Sequence, residues 1–182
     1  MSEKLAKIAY LSIGSNLGNK KINIELSKYK LNSKDIEIVK VSNSFESLSW
    51  PNKKNPKFIN VIIKIKTVLS PQKLMNKCLD IEKSLGRYRT KKNDPRTCDI
   101  DIIDYDNKII NKKNLILPHP KMHKRNFVLL PFFEINKTWS HPIKKINIKK
   151  LIKSIKTEDL MSIKYIWYND IVKNAQIWRI NK

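Results

Sequence analysis

The chain has 182 residues, a length typical of one domain with a real core, and its 41% hydrophobic content excludes a disordered chain. Lysine and arginine total 38 against 16 acidic residues, which gives a formal net charge of +22. The sequence has no apolar run that could cross a membrane, no secretory signal pattern and no CxxC pair, so a reducing cytoplasm is the expected compartment.

The first half of the chain predicts a strand, a helix and two further strands. The strands are expected at 8–14, 36–45 and 57–66, with the helix after the first and a polar loop at 47–56 before the last. Ile22, Leu26 and Tyr29 recur at helical spacing, which predicts this helix. In the third strand Phe58 and Asn60 are two residues apart, so they are predicted to share a face.

The second half begins with the clearest helix signal in the chain. Ser70 suits an N-cap, Pro71 suits the first helical position, and Gly86 suits the residue after the helix end. A basic loop at 87–97, the strand TCDIDIIDY, a short helix NFVLLPFFEI interrupted by proline, and a helical stripe in INIKKLIKSIK follow. The order strand–helix–strand–strand–helix–strand predicts an α+β fold, a ferredoxin-like αβ sandwich with an antiparallel sheet.

Four aspartates lie close together in and directly after the predicted strand TCDIDIIDY. Asp99 and Asp101 are two residues apart and therefore share a strand face. Two carboxylates held so close favour a cation between them, and Mg²⁺ is commonly held by one or two carboxylates plus substrate phosphates. A solvent-exposed face paired with lysines is the alternative. Asp104 and Asp106 have the opposite parity and are expected to be surface and turn residues.

Arginine is rare in this lysine-rich chain, and four of its five arginines lie between residues 87 and 125. The planar guanidinium binds phosphate oxygens through paired N–H groups, which a lysine cannot do. Arg87 and Arg89 directly follow the glycine that ends a helix, and Arg96 precedes the aspartate pair. This pattern favours a lid over a polyphosphate, with a basic surface loop as the alternative.

Phe58 and Asn60 place an aromatic ring beside an amide, which suits a flat heterocycle that forms hydrogen bonds, although an ordinary edge strand gives the same pattern. With the carboxylates and the arginines, the pair indicates phosphoryl transfer to or from an aromatic small molecule. A basic nucleic-acid-binding module is the alternative, supported by the net charge and by the amphipathic segment 146–156. Against it, the carboxylate pair repels phosphate unless a metal is present, and the lysines are spread along the chain.

Five segments of the chain resemble the hydroxymethyl-dihydropterin pyrophosphokinases of folate biosynthesis. They are YLSIGSNLGNK at 10–20, NPKFIN at 55–60, IEKSLGRYR at 81–89, DPRTCDIDI at 94–102 and LPHPKMHKRNFVLLPFFEI at 117–135. The resemblance implies that a pyrophosphoryl group moves from ATP to the pterin's hydroxymethyl oxygen, with release of AMP. It also implies a ferredoxin-like fold and a cytoplasmic monomer whose partners are small molecules, with neither nucleic acid nor a membrane among them.

The resemblance further implies a role for each matching residue. Asp99 and Asp101 would hold two Mg²⁺ ions, and Arg87 and Arg96 would stabilise the transferring group. The implied ATP-binding residues are Glu82, Arg87, Arg89, Ile102, His119 and Arg125. The implied pterin-binding residues are Gly14, Leu48, Ser49, Phe58, Asn60 and Phe127.

The chain departs from the family pattern in its loops and at its C-terminus. The loop at 47–56 lacks the usual proline–glycine chemistry, and the loop at 87–97 is shorter than usual and has no tryptophan before Pro95, so lid closure is expected to be altered. Residues 143–182 match poorly beyond one helix. We therefore expect a pyrophosphokinase catalytic domain at 1–142 and, at 143–182, the C-terminal part of the same domain with a basic extension.

Overall fold

A computed structural model describes residues 5–88 and 93–166, and an antiparallel sheet with helices against both faces dominates it. The sheet contains β1 (Lys7–Ser15), β2 (Ile36–Val41), β3 (Ser44–Ser47), β4 (Phe58–Thr67), β5 (Asp99–Tyr105) and β8 (Lys164–Ile166). A separate hairpin consists of β6 (Ile110–Lys112) and β7 (Leu115–Leu117). The helices are α1 (Lys20–Leu31), α2 (Pro71–Ser84), α3 (Asn126–Ile135), α4 (Ile148–Lys153) and α5 (Thr157–Met161), with a 3-10 turn at Met122–Lys124.

The strand order is β5-β1-β4-β3-β8, and β2 pairs with β4 next to β3. All of these pairings are antiparallel, which confirms the predicted ferredoxin-like α+β fold. The single strand expected at 36–45 is instead two strands, because the ladder is interrupted at Ser42. There the Ser42 hydroxyl, rather than a backbone carbonyl, accepts the N–H of Ile62 at 2.9 Å.

The sheet separates two hydrophobic cores, and the alternation of β4 assigns its residues to them as predicted. Ile59, Val61, Ile63 and Ile65 are buried in the first core, which α1 and α2 cover. Ile62 belongs to the second core, which α3 and α4 cover. Phe58 and Asn60 share this second face, as expected from the two-residue period of a strand.

Helix α1 forms where expected, but the apolar residues whose spacing predicts it are not the ones it buries. Ile22, Leu26 and Tyr29, whose spacing predicts the helix, are exposed. The buried residues are Ile24, Ser27 and Leu31. Both sets have helical spacing, so periodicity alone cannot show which set is buried. The buried face is decided by packing against distant segments, including a contact of 3.0 Å between the Ser27 hydroxyl and the Cys98 thiol.

The C-terminal segments pack against the sheet. Helix α3 continues through Pro131, contrary to the expected interruption, and contributes Phe132 to the second core. In α4, Ile148 and Leu151 are buried in that same core. The apolar face of the basic amphipathic segment is therefore occupied within this chain, which removes one argument for a nucleic-acid-binding helix. No helix within the described ranges is long and apolar enough to cross a bilayer.

A bulge in β5 changes the position of Asp104. Tyr10 of β1 lies opposite Asp104, whereas Leu11 lies opposite Ile102, so Ile103 is an extra residue in β5. Because of this extra residue, Asp104 lies on the same face as Tyr10, which belongs to the second core, and Asp104 is only 1% exposed there. The expectation of a surface Asp104 is therefore wrong. Asp106, by contrast, lies in the turn that was expected, with φ of 52°.

Burial raises the pKa of Asp104 to about 6, despite a backbone hydrogen bond from Asn107 that lowers it. We predict that Asp104→Asn stabilises the protein at neutral pH. The folded pKa of about 6 exceeds the ordinary value of 3.8, so the folded wild type binds more protons between these values and loses stability as pH rises through them. The asparagine cannot ionise and avoids that loss.

Urea unfolding of both proteins between about pH 4 and pH 7 measures this effect. The variant-minus-wild-type difference in the free energy of unfolding should increase with pH by up to about 3 kcal/mol, as expected for a shift of about two pKa units. A difference that stays constant across this range would contradict the assignment.

Candidate active site

Three neighbouring strands bring an amide, a glycine and a carboxylate into one row. Gly14 of β1 lies opposite Asn60 of β4 on one side and opposite Asp99 of β5 on the other. The Asn60 amide is buried and donates to the Ser47 hydroxyl at 2.9 Å. A Cβ on Gly14 would lie 3.0 Å from Asn60 Oδ1 and 3.4 Å from Phe58, so glycine leaves the space between amide and carboxylate open.

Asp99 is the centre of a short ion-pair network. Arg87 Nη1 donates to Asp99 Oδ1 at 2.5 Å, and Arg96 Nη2 donates to Asp99 Oδ2 at 2.6 Å. Burial by itself would raise the pKa of Asp99, but the charges of Arg96 and Arg87 and their hydrogen bonds hold it below its ordinary value. Asp99 is therefore ionised and holds both guanidinium groups side by side. Arg96 contributes from the loop before β5 and not from the strand.

The end of α2 positions Arg87. The N–H of Arg87 donates to Glu82 C=O and the N–H of Gly86 donates to Lys83 C=O, both at 3.0 Å. These two bonds form a Schellman C-cap, and Gly86 supplies its left-handed residue with φ of 81°. The buried Glu82 carboxylate then accepts from Arg87 Nη1 at 2.5 Å and from the N–H of Ile100 at 2.7 Å. Glu82 thus links the helix end, the arginine and β5.

Asp101 lies two residues along the same face in a different environment. Its Oδ2 is 3.4 Å from Arg125 Nη1 and 3.7 Å from His119 Nε2, longer contacts than those of Asp99. Burial and the neighbouring Asp99 charge raise the pKa of Asp101. Burial also lowers the pKa of His119. His119 Nδ1 accepts the N–H of Lys121 at 3.2 Å, so the neutral ring presents its Nε2–H to Asp101.

The donor set fits a hard divalent cation. The Asp99 and Asp101 carboxylates share one strand face, and a cation between them would relieve the repulsion that raises the pKa of Asp101. Within residues 5–88 and 93–166, no group of three or more His, Cys, Asp or Glu side chains is arranged to hold a metal ion. Two carboxylates leave most of the coordination sphere to water and substrate oxygens, which is the arrangement that Mg²⁺ favours.

Two aromatic rings flank the row of strands, and each packs against an arginine. The Arg96 guanidinium carbon lies 4.9 Å from the centre of the Phe58 ring. The Arg125 guanidinium carbon lies 5.6 Å from the Phe127 ring, which packs at the margin of the second core. Phe127 therefore combines packing at the core margin with a contact to a site arginine. The buried Nε of Arg96 has no hydrogen-bond partner within the described residues.

Three of the expected site residues are not among the ion pairs and hydrogen bonds described above. Ile102 is buried in the first core, on the face away from Asp101, so any contact of Ile102 with a nucleotide would go through its backbone. Leu48 is half-buried on the 47–56 loop. Arg89 lies outside the described residues.

Sequence reasoning missed Asn16, although it lies in the segment YLSIGSNLGNK. Asn16 is 3% exposed and uses its whole amide in hydrogen bonds. Its Oδ1 accepts the N–H of Arg96 at 2.7 Å, and its Nδ2 donates to the Ser49 hydroxyl at 3.2 Å and to Pro56 C=O at 3.1 Å. The only sequence signal was its place directly after a strand that ends in glycine and serine, and that signal does not reveal its partners.

Comparison with known proteins identifies a matching family. Residues 10–137 match the family model described as 7,8-dihydro-6-hydroxymethylpterin-pyrophosphokinase (HPPK). The 2-amino-4-hydroxy-6-hydroxymethyldihydropteridine pyrophosphokinase of Aquifex aeolicus is 37% identical over 152 residues, which are 84% of this chain and 92% of that protein. The folic acid synthesis protein fol1 of Pneumocystis carinii is 37% identical over 154 residues, but these span 85% of this chain and only 21% of that protein.

A solved structure agrees with the fold. The HPPK-DHPS A437G/K540E protein of Plasmodium falciparum, crystallised with pterin and p-hydroxybenzoate, superposes with a TM-score of 0.71 over 92% of this chain and 49% of that one. Its sequence identity to this chain is 15%, so the likeness concerns the fold.

We predict that Glu82→Gln destabilises the protein by about 1–3 kcal/mol, because it removes the charge of a buried carboxylate that holds a guanidinium and a backbone N–H. Urea unfolding of variant and wild type measures the change. Glu25→Gln is the matched control, since its ion pair with Lys28 at 2.7 Å is solvent-exposed on the glutamate side and should contribute within about 0.5 kcal/mol. Equal effects of the two substitutions would show that Glu82 is not a structural anchor.

Proposed function

Because the chain belongs to the 7,8-dihydro-6-hydroxymethylpterin-pyrophosphokinase family, we propose that it transfers pyrophosphate from ATP to the hydroxymethyl group of 6-hydroxymethyl-7,8-dihydropterin, in the biosynthesis of tetrahydrofolate. One observation carries the proposal: an aromatic–amide platform and a carboxylate pair with two arginines lie on the same sheet face, separated by Gly14. Adjacent strands are about 4.8 Å apart, so the two groups are close enough to bring a pterin and a triphosphate into contact.

The pterin binds at the open position beside Gly14. Its edge forms hydrogen bonds with the amide of Asn60, whose orientation is fixed by the bond to Ser47. The ring of Phe58 provides a stacking surface on the same strand, and Phe127 provides the second. Leu48 and Ser49 border the site from the 47–56 loop. A flat heterocycle with several donors and acceptors matches this combination of stacking and amide pairing.

The ATP phosphates bind on the arginine side. Arg87 and Arg96 are adjacent because both bond to Asp99. Arg125 and the Nε2–H of His119 contribute from beyond Asp101. Glu82 acts by holding Arg87, and Arg89 and the backbone of Ile102 complete the proposed nucleotide site. Arginine suits this role because its paired N–H groups match phosphate oxygens.

Charge balance supports a requirement for Mg²⁺. The described network contains three arginines and three carboxylates, namely Arg87, Arg96, Arg125, Glu82, Asp99 and Asp101. A triphosphate brings further negative charge to this balanced cluster, so divalent cations must accompany it. We assign Asp99 and Asp101 as the protein ligands of two Mg²⁺ ions. When bound, the ions neutralise charge on the phosphates during the transfer.

In the reaction the hydroxymethyl oxygen of the pterin attacks the β-phosphorus of ATP. A new oxygen–phosphorus bond forms, the bond between the β-phosphorus and the oxygen of AMP breaks, and the hydroxyl proton is released. Arg87 and Arg96 stabilise the charge on the transferring group, while the pterin platform and the 47–56 loop orient the attacking oxygen. Catalysis therefore depends mainly on positioning and on electrostatic stabilisation.

The proposal extends to the domain limits and the setting of the enzyme. Residues 1–142 form the catalytic domain, and 143–182 form the C-terminal part of the same domain with a basic extension. Supporting this, α4 fills the second core and β8 pairs with β3. The enzyme acts as a cytoplasmic monomer on two small-molecule substrates.

We predict Mg²⁺-dependent release of AMP from ATP only when hydroxymethyl-dihydropterin is present. Asp99→Asn should lower kcat about 100-fold or more, because it removes the charge that orders both arginines and holds the metal. Asp106→Asn, in the turn that ends the same strand, should retain activity within about twofold, as expected for a surface change. Equal AMP release without the pterin, or a fully active Asp99→Asn enzyme, would refute the proposed function.

We also predict that Gly14→Ala weakens pterin binding selectively. The added methyl would lie 3.0 Å from Asn60 Oδ1 and 3.4 Å from Phe58, in the space assigned to the pterin edge. The KM for the pterin should rise about tenfold, as expected for a steric cost of about 1.4 kcal/mol, while the KM for ATP changes little. Titration of each substrate at saturating levels of the other separates the two constants. An equal rise in both would place Gly14 outside the pterin site.

A further inference from the structure

Asn16 connects the three loops that border the active site. It lies on the loop between β1 and α1, and its N–H donates to Arg96 C=O at 3.1 Å while its Oδ1 accepts the N–H of Arg96 at 2.7 Å. Two bonds therefore fix Arg96, 80 residues away in the chain, to Asn16. The Nδ2 of the same amide reaches the 47–56 loop, so a single buried side chain contacts both of the other loops.

The bonds from Asn16 Nδ2 hold the two ends of the 47–56 loop together. Asn16 Nδ2 donates to the Ser49 hydroxyl at 3.2 Å and to Pro56 C=O at 3.1 Å. The Ser49 hydroxyl itself donates to Pro56 C=O at 2.5 Å, so these three groups join the two ends of the loop. Phe58, which begins β4 and carries the proposed stacking surface, follows Pro56 by only two residues.

The two segments that Asn16 connects also contact each other, through Arg96 and Phe58 at the active site. The guanidinium of Arg96 lies 4.9 Å from the Phe58 ring and bonds to Asp99. Asn16 thus fixes the backbone of an arginine that faces phosphate and the base of the loop that borders the pterin. The side-chain amide is matched to these partners at all three of its bonding positions, whereas a carboxylate would lack the Nδ2 donors and an alanine would lack every side-chain bond.

We propose that Asn16 is a positioning residue that couples the two substrate sites, so that binding at one site favours binding at the other. A displacement of Arg96 by phosphate is transmitted through the Asn16 amide to Ser49 and Pro56, and a displacement of the 47–56 loop by the pterin is transmitted in the opposite direction. Such coupling is reciprocal, and values of about 5- to 150-fold in affinity are typical. This inference rests on the proposed function for the identity of the two substrates.

Hydrogen exchange in the free protein tests the connection without using activity. Asn16→Ala should accelerate exchange in both segments, 47–57 and 93–97. Asn16→Asp keeps the acceptor for the N–H of Arg96 and loses the Nδ2 donors, so it should accelerate exchange in 47–57 only, and it decides the question if the alanine variant does not fold. Asn23→Ala is the matched control, because among the described residues the Asn23 side chain bonds to Ser15 and Leu17 and to neither of the two other loops.

Binding measurements test the coupling itself. The affinity for the pterin is measured with and without a non-hydrolysable ATP analogue and Mg²⁺. In the wild type the analogue should increase the affinity for the pterin. This increase should be at least about fivefold smaller in Asn16→Ala, while the affinity for the analogue alone changes less than about twofold. The Asn23→Ala variant should keep the wild-type gain.

The outcomes separate this inference from the proposed function. The coupling role would be overturned if hydrogen exchange in either segment of Asn16→Ala stayed at the wild-type rate. It would also be overturned if both segments exchanged faster but the analogue still increased the pterin affinity as much as in the wild type. Absence of any gain in the wild type would overturn it as well. Absence of pterin-dependent AMP release from the wild type would refute the proposed function, whereas the exchange experiment would still decide whether Asn16 holds the two loops.

Discussion

The antiparallel pairing of β1 between β4 and β5 is the constraint on which the site depends. It fixes Gly14 between Asn60 and Asp99, so that an amide, an open space and a carboxylate lie in one row across three strands. A slip of one residue in either pairing would turn these side chains into the first core and expose the core residues. The two apolar cores therefore fix the register, and the register places the chemical groups on the second face.

The buried charges of the site are stable because each has a partner. Asp99 is ionised between Arg87 and Arg96, and Glu82 bridges Arg87 to the backbone of β5. Removing one member of such a cluster leaves a buried charge without compensation, which costs more than the intact pair contributes. Asp101 differs, since its contacts are longer and burial with Asp99 raises its pKa. This unequal sharing of cations between two neighbouring carboxylates is the feature that favours a divalent ion.

The sequence was informative where local chemistry decides the structure. The caps of α2 and the alternation of β4 follow from residue types and spacing, and both are confirmed. The sequence did not predict features that depend on packing between segments distant in the chain. The buried face of α1 could not be chosen from spacing, because two sets of residues share the helical period. The face on which Asp104 is buried follows from a bulge, and a single extra residue in a strand has no reliable signal in the sequence.

By itself the sequence determined the fold class, the shared face of Asp99 and Asp101, and the pairing of a ring with an amide at Phe58 and Asn60. These depend on periods of two or 3.6 residues and on capping chemistry, which act over a few positions. Only the tertiary structure decided that Glu82 holds Arg87, and that Asn16 joins two loops distant in sequence. Those contacts depend on strand register and loop closure, and the sequence near each residue does not specify the partner that folding brings to it.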